Sequence, residues 1–248
     1  MSRDDRYQYL LASDWSECLS PNGPFDPLIH AWPDLEPDLK SIFSKYTANE
    51  ISLSRAVEEL QTRLPGEYSS QAMDAFLRDK FTSYANLSEL IHWCLDNGIA
   101  FMINSTGSIG YFQRAVALGL LPSIPLLSAH PFLRYHQEDT EPEHIFELHE
   151  IEDKATNTRA AQNLLGIPAH RTVVAGDSGG DGPHFAWAAE TGILRIGINT
   201  KASLESFCAE RGIHIHARVG IAYGAVQPRD FEAERRTDLI QVREVLRQ

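Results

Sequence analysis

Apolar positions along the chain follow two rhythms. Tyr9 to Ser13 is a short, continuous apolar run that stops at Asp14. Runs of this kind predict strands covered on both faces. A loop rich in proline, glycine, asparagine and aspartate follows, from Ser20 to Pro27. From about Leu35 to Asn97 the period lengthens to that of helices. Ile42, Phe43 and Tyr46 recur at helical spacing, as do Leu53, Ala56, Val57 and Leu60. Met73, Phe76, Leu77 and Phe81 follow, then Leu87, Leu90, Ile91 and Leu95. Thr47, Ser69 and Asn86 stand where N-caps belong, Pro65-Gly66 breaks the run, and Asn97-Gly98 ends it.

After Gly98 strands and helices alternate. Strands are predicted at Ile99 to Ile103, Ile124 to Ser128, Ile145 to Ile151, Thr172 to Ala175 and Ile193 to Ile198. Asn104 to Gly107 reads as a polar turn. Helices are predicted at Ile109 to Ala117, Thr156 to Leu165, Pro183 to Thr191 and Ser203 to Glu210. His214 to Ala222 is a late apolar segment, and Phe231 to Gln248 reads as a charged helix. Alternation of this kind implies an α/β core: a Rossmann-like parallel sheet with helices on both faces.

Composition narrows the class of partner. With 22 Lys and Arg against 34 Asp and Glu in 248 residues, the formal charge is −12. That charge offers no footprint for nucleic acid and opposes an anionic membrane surface. No apolar stretch approaches the roughly 18 residues of a membrane span. Cys18, Cys94 and Cys208 are too scattered for a disulfide framework, so a reducing, cytoplasmic setting is expected. Oligomeric state has no signature in the chain.

The candidate chemistry lies at the carboxyl ends of strands, where open α/β sheets bind ligands. Asp14, Ser105 and Asp177 all stand there. Asp177 and Asp181 lie in a glycine-rich turn, Gly176-Asp-Ser-Gly-Gly-Asp181, and such carboxylates suit a hard divalent ion. Asp181 serves equally well as a helix cap. Ser105, Thr106 and Gly107 offer a hydroxyl and backbone N–H groups to an anionic oxygen, or an ordinary N-cap. Lys154, just before a helix, can neutralise a phosphate or simply face solvent. Among the histidines, His214-x-His216 could present two imidazoles, but no zinc-like cluster accompanies them. His184 is open to pocket lining or to helix-start packing, and Cys18 reads as a packing residue.

Taken in order, the pieces are strand-Asp, strand-Ser/Thr, Lys, and strand-Gly-Asp-x-x-x-Asp. This pattern resembles the haloacid dehalogenase superfamily, from Leu10 to about Asn199. In layout it is similar to the phosphoserine-phosphatase-like members, whose helical cap lies between the first and second motifs. The resemblance implies a core of 1–34 and 98–248 with an all-helical cap at 35–97. It also implies a Mg²⁺-dependent hydrolase acting on a small phosphorylated molecule. Asp14 would form an aspartyl-phosphate, and Asp14, the Ser16 carbonyl, Asp177 and Asp181 would hold the metal. Ser105, Thr106 and Gly107 would bind the phosphoryl group, and Lys154 would offset the crowded negative charge.

The first motif departs from the phosphatase pattern D-x-D-G-[T/V], reading Asp14-Trp-Ser-Glu-Cys18. Ser16 stands where the second aspartate protonates the leaving group and later activates water, and a serine has no pKa suited to that work. Three readings stay open. The first is a phosphatase whose proton comes from elsewhere, with Glu17 the nearest carboxylate in sequence. The second is a hydrolase of another bond, because Asp14-Trp-Ser16 resembles the D-W-A of phosphonoacetaldehyde hydrolases. Those enzymes need a cap lysine, for which only Lys40, Lys45 and Lys80 are available. The third is a phospho-ligand-binding module without turnover. In the cap, Arg55, Arg63, Arg78 and Lys80 are the cations that could meet an acidic substrate.

Overall fold

A computed structural model describes residues 6–47, 50–135 and 141–247. His136 lies outside these residues. Seven described strands form one parallel sheet: β1 (Tyr9–Ser13), β2 (Ile99–Ser108), β3 (Leu126–His130), β4 (His144–Glu147), β5 (Thr172–Gly176), β6 (Leu194–Thr200) and β7 (Ala217–Ala222). Their order is β4-β3-β2-β1-β5-β6-β7. The chain begins at the centre, works outward through β2, β3 and β4, then returns to build β5, β6 and β7 on the other side. The two neighbours of β1 are therefore reached in opposite directions, and a crevice opens beyond the carboxyl ends of β1, β2 and β5.

The helices in chain order are α1 (Asp26–Ala31), α2 (Glu36–Thr47), α3 (Leu53–Gln61), α4 (Ser70–Lys80), α5 (Leu87–Asp96), α6 (Ile109–Ala117), α7 (Asp153–Leu165), α8 (Gly182–Glu190), α9 (Ala202–Glu210), α10 (Phe231–Glu234) and α11 (Ile240–Leu246). Side chains alternate across the sheet. Leu11, Phe101, Ile103 and Leu127 face one way and join Met73, Phe76, Leu90 and Phe112. Leu10, Ala12, Met102 and Val174 face the other and join Ala161, Phe185 and Leu204. Each of the Leu, Ile, Val, Met and Phe side chains among them contributes roughly 1.5–3 kcal/mol by leaving water. The helical block shares the first cluster with the sheet: α4 packs on α1 and α6, while α5 lies against β2 and α11. None of the described helices is long and apolar enough to cross a membrane.

Local differences from the sequence pattern have physical causes. Asn104 to Gly107 does not turn; β2 runs on to Ser108 with a register shift after Asn104. The Asn104 amide is used inside the protein, donating to the Lys154 carbonyl (2.9 Å) and to Thr158 Oγ1 (3.0 Å). Thr47 is the last residue of α2, and α3 is capped by Ser52 accepting from Arg55 N–H. The charged tail is two short helices rather than one. Between them Thr237 donates to Asn199 Oδ1 (2.8 Å), and Asp238 accepts from Asn86 Nδ2 (2.8 Å) and from the Ile240 N–H (2.9 Å). In the late apolar segment only Ala217 onward is strand. His214 and His216 instead serve Arg195, through the His214 carbonyl and His216 Nδ1.

Candidate functional site

Asp14 leaves the tip of β1, with its N–H donating to the Ala175 carbonyl of β5 (3.0 Å). Next comes a tight turn in which the Trp15 carbonyl accepts from the Leu19 and Ser20 N–H groups. Glu17 sits in the left-handed region at φ 62°, a conformation costly for any residue with a Cβ. Trp15 is buried among Phe81, Tyr111 and Phe112 and fixes the turn from below. Cys18 is fully buried, and burial pushes its thiol well above the ordinary range, with Asp177 and Asp14 adding to the effect. It is a packing residue, not a nucleophile.

At the tip of β5, Asp181 folds back. Its Oδ2 accepts from the Asp177 N–H (2.9 Å) and the Ser178 N–H (3.2 Å), and it forms a reciprocal capping box with Ser178. A Cβ on Gly176 would lie 2.5 Å from Asp181 Cγ, so the fold-back requires glycine there. Lys154, from the first turn of α7, reaches between strands. Its Nζ donates to Asp14 Oδ1 (2.7 Å) and Asp181 Oδ1 (2.6 Å) at 3% exposure. Beneath it, Thr158 donates to the Lys154 carbonyl (2.8 Å). That spends the hydroxyl proton, so His184 Nε2 donates to Thr158 Oγ1 (3.0 Å). Burial and the neighbouring Lys154 hold the His184 pKa down to about 3, which keeps the ring neutral.

Asp14, Asp177 and Asp181 each offer a buried carboxylate oxygen, all within 4.8 Å of one another. Burial pushes Asp14 up to about 6 against the pull of Lys154. Burial also drives Asp177 well above the carboxylate range, opposed by Lys201. For Asp181 burial is outweighed by Lys154 and by the two backbone donors, so its pKa is lowered. Lys201 Nζ stands 2.8 Å from Asp177 Oδ2, an ion pair outside hydrogen-bond alignment, and Asp177 Oδ1 has no hydrogen-bond partner. A buried carboxylate oxygen left this way is costly unless a cation meets it. Three hard oxygen donors around such an atom fit a divalent ion of the Mg²⁺ class.

A cavity of about 440 Å³ opens above these groups. Asp14, Ser16, Glu17, Thr106, Lys154 and Lys201 line it, and Phe43 and Tyr46 of α2 form part of the wall. Ser105 is fully buried, its Oγ accepting from the Gly107 N–H (3.1 Å). Gly107 borders two smaller clefts next to the cavity. The four cations singled out in the helical block do not line the cavity. Arg55 pairs with Glu58 and Glu59, Arg63 lies near Asp38, Arg78 near Asp74, and Lys80 near Asp79.

Two charged cavity residues escaped the sequence reading. Lys201 follows the carboxyl tip of β6, so the strand-end rule that singled out Asp14 and Asp177 reaches it too. Arg229 carries no such signal. It arrives from the tail and pairs with Glu17 Oε1 (2.6 Å) and with Glu234 Oε2 (2.7 Å). Burial would raise the Glu17 pKa, but Lys201 and Arg229 outweigh it and the carboxyl is held below its usual range. Glu17 is therefore ionised and doubly clamped, a poor proton donor.

No family model matches the chain. No curated protein matches it either. Among solved structures, a phospho-aspartyl intermediate analogue of phosphoserine phosphatase is similar over 96% of this chain and 99% of its own, with TM-score 0.65 and 16% identity. A substrate-bound phosphoserine phosphatase complex covers 85% and 92%, with TM-score 0.62 and 17% identity. A HAD family hydrolase from Salmonella enterica serovar Typhi covers 88% and 68%, with TM-score 0.62 and 14% identity. The chain shares its fold with these phosphoserine phosphatase and HAD family hydrolase structures.

Proposed function

We propose that the chain is a Mg²⁺-dependent phosphohydrolase of a small phosphorylated metabolite, working through an aspartyl-phosphate on Asp14. One observation carries this reading: a buried ammonium, Lys154, bridges the strand-tip Asp14 to Asp181, beside a buried Asp177 oxygen without a hydrogen-bond partner. Asp14 stays largely ionised at neutral pH despite its raised pKa of about 6, so it remains nucleophilic. Its carboxylate attacks phosphorus, and the P–O bond to the leaving group breaks. Water then attacks the acyl-phosphate and frees Asp14. Asp14, Asp177 and the Ser16 carbonyl would hold the ion, which when bound neutralises phosphoryl oxygen charge. Asp181, with both oxygens engaged, supports the set by holding Lys154 and the Asp177 backbone. Lys154, Thr106 and the Ser105–Gly107 backbone face the phosphoryl group, and residues 35–97 act as the cap, with Phe43 and Tyr46 of α2 nearest the substrate.

Loss of the usual acid at Ser16, with Glu17 clamped, lowers rates for poor leaving groups by about 10²–10⁴. The same loss favours a second reading, a phospho-ligand binder without turnover. Cleavage of a C–P bond through a cap lysine draws no support: Lys40 and Lys80 pair with Glu36 and Asp79, and Lys154 and Lys201 are the lysines on the cavity wall among the described residues. The three cysteines are unpaired and buried, consistent with a reducing, cytoplasmic setting. The test is phosphate release across a panel of phosphoesters and phosphonates, with Mg²⁺ or with chelator and with Asp14→Asn as the blank. Release above the blank that needs the metal supports hydrolysis. A flat panel with saturable, metal-dependent phosphate binding assigns the chain to the binder class.

A further inference from the structure

Lys201 has no part in the reading above, yet it occupies one face of the carboxylate set. Its backbone N–H donates to the Asp177 carbonyl (2.7 Å), which ties the residue to the aspartate it serves. Its ammonium sits against Asp177 Oδ2 and at the same time against Glu17 Oε2. The pairing extends outward in alternating sign: Asp177, Lys201, Glu17, Arg229, Glu234. Glu234 is itself 2% exposed, so the far end is anchored in the protein interior.

We propose that Lys201 is an internal competitor for the divalent ion and that Glu17, by drawing its ammonium away from Asp177, sets the metal affinity of the site. This rests on the metal reading above. With a divalent ion bound, Asp14, Asp177 and Asp181 would carry three negative charges, of which Lys154 and Lys201 offset two. A divalent ion and the Lys201 ammonium need the same Asp177 carboxylate and repel each other at short range in a buried site. Glu17 resolves the conflict, because an ammonium already in contact with Glu17 keeps a partner when Asp177 turns to the ion. This also accounts for a glutamate in a left-handed conformation. A glycine would adopt that φ freely but would offer Lys201 no carboxylate. Arg229 holds the Glu17 side chain in reach, so Glu17 is a positioning residue acting through Lys201.

The experiment is titration of the full chain with Mn²⁺ alone, followed by the electron paramagnetic resonance of free Mn²⁺ and checked by Mg²⁺ competition. Wild type, Lys201→Met, Glu17→Gln and the double variant are compared, each verified as folded by circular dichroism. Lys201→Met is expected to bind at least tenfold more tightly, about 1.4 kcal/mol. Glu17→Gln is expected to bind severalfold more weakly, and the double variant to match Lys201→Met, because Glu17 acts only through Lys201. If Lys201→Met does not fold, the near-isosteric Glu17→Gln carries the test alone. Unchanged or weaker binding by folded Lys201→Met overturns the proposal, as does full-strength binding by Glu17→Gln. Binding by Lys201→Met where wild type binds nothing supports it. Absence of binding in every variant overturns it together with the metal reading, whereas metal binding without turnover touches only the hydrolase reading.

Discussion

Replacing Lys154 by methionine removes one charge at nearly constant volume and tests the electrostatic centre of the site. Lys154 is 3% exposed, and its ammonium spans two carboxylates at 2.7 and 2.6 Å. Removing one partner of a buried ion pair costs about 3–5 kcal/mol, because the remaining charge is left without compensation. Here two carboxylates share the loss, and Asp177 lies beside them. Proton uptake limits the damage. Burial already holds Asp14 up to about 6, and without Lys154 its pKa rises further. A carboxyl whose folded pKa lies above its unfolded value destabilises the fold increasingly as pH rises between the two. The deficit of the variant is therefore greatest at alkaline pH and shrinks toward pH 5. The assay is urea unfolding of metal-free wild type and variant at pH 7.5 and 5. The expected deficit is about 3–5 kcal/mol at pH 7.5 and clearly smaller at pH 5. A deficit below about 1 kcal/mol at pH 7.5, or one independent of pH, would refute the view of Lys154 as the charge that makes the carboxylate cluster tolerable.

Three further outcomes are expected. Ser16→Asp should raise metal-dependent turnover of alkyl phosphates by about 10²-fold or more and that of aryl phosphates by much less, because only the shared water-attack step gains there; equal effects on both would show that position 16 does not govern leaving-group protonation. His184, held down to about 3 by burial, must take up a proton when the chain unfolds at mildly acidic pH. Its stabilisation is complete above about pH 6.5 and is lost as pH falls, so wild type should lose about 2 kcal/mol more than His184→Asn between pH 7 and 5 in denaturant titrations. Glu150 accepts from the Leu53 N–H (2.9 Å) and the Ser54 N–H (3.2 Å), pinning the start of α3 to the loop after β4. Glu150→Ala should cost about 1 kcal/mol, and amide exchange at the start of α3 should accelerate; unchanged exchange there would show that the contact does not hold the helix.

The sequence was most legible where apolar runs and strand ends coincide. Tyr9–Ser13 and Ile109–Ala117 fall where their patterns put them, because burial on both faces or on one stripe leaves an unmistakable rhythm. Asp14, Lys154, Asp177 and Asp181 converge because all but the lysine follow from the geometry of a parallel sheet, and the lysine from the motif order. The failures share a cause. Asn104 reads as a turn residue until the Lys154 carbonyl, 50 positions later, turns out to accept from its amide. Thr237 and Asp238 break the tail helix through bonds to Asn199 and Asn86. Arg55 and Arg78 look available for substrate, but their partners Glu58, Glu59 and Asp74 lie within one helical turn. Partners distant in sequence leave no local pattern, and near ones are easily overlooked.

The tether between Glu17 and Arg229 has a consequence in time. The two residues are 212 positions apart. At roughly 5–20 residues added per second, Glu17 leaves the peptidyl-transferase centre about 10–40 s before Arg229 is made. During that interval the turn after β1 lacks the arginine that holds its left-handed glutamate. β2 and the helical block are made within that interval, yet the finished chain of charges waits for the tail. The chain of ion pairs is thus completed late in synthesis, after all seven described strands have been made.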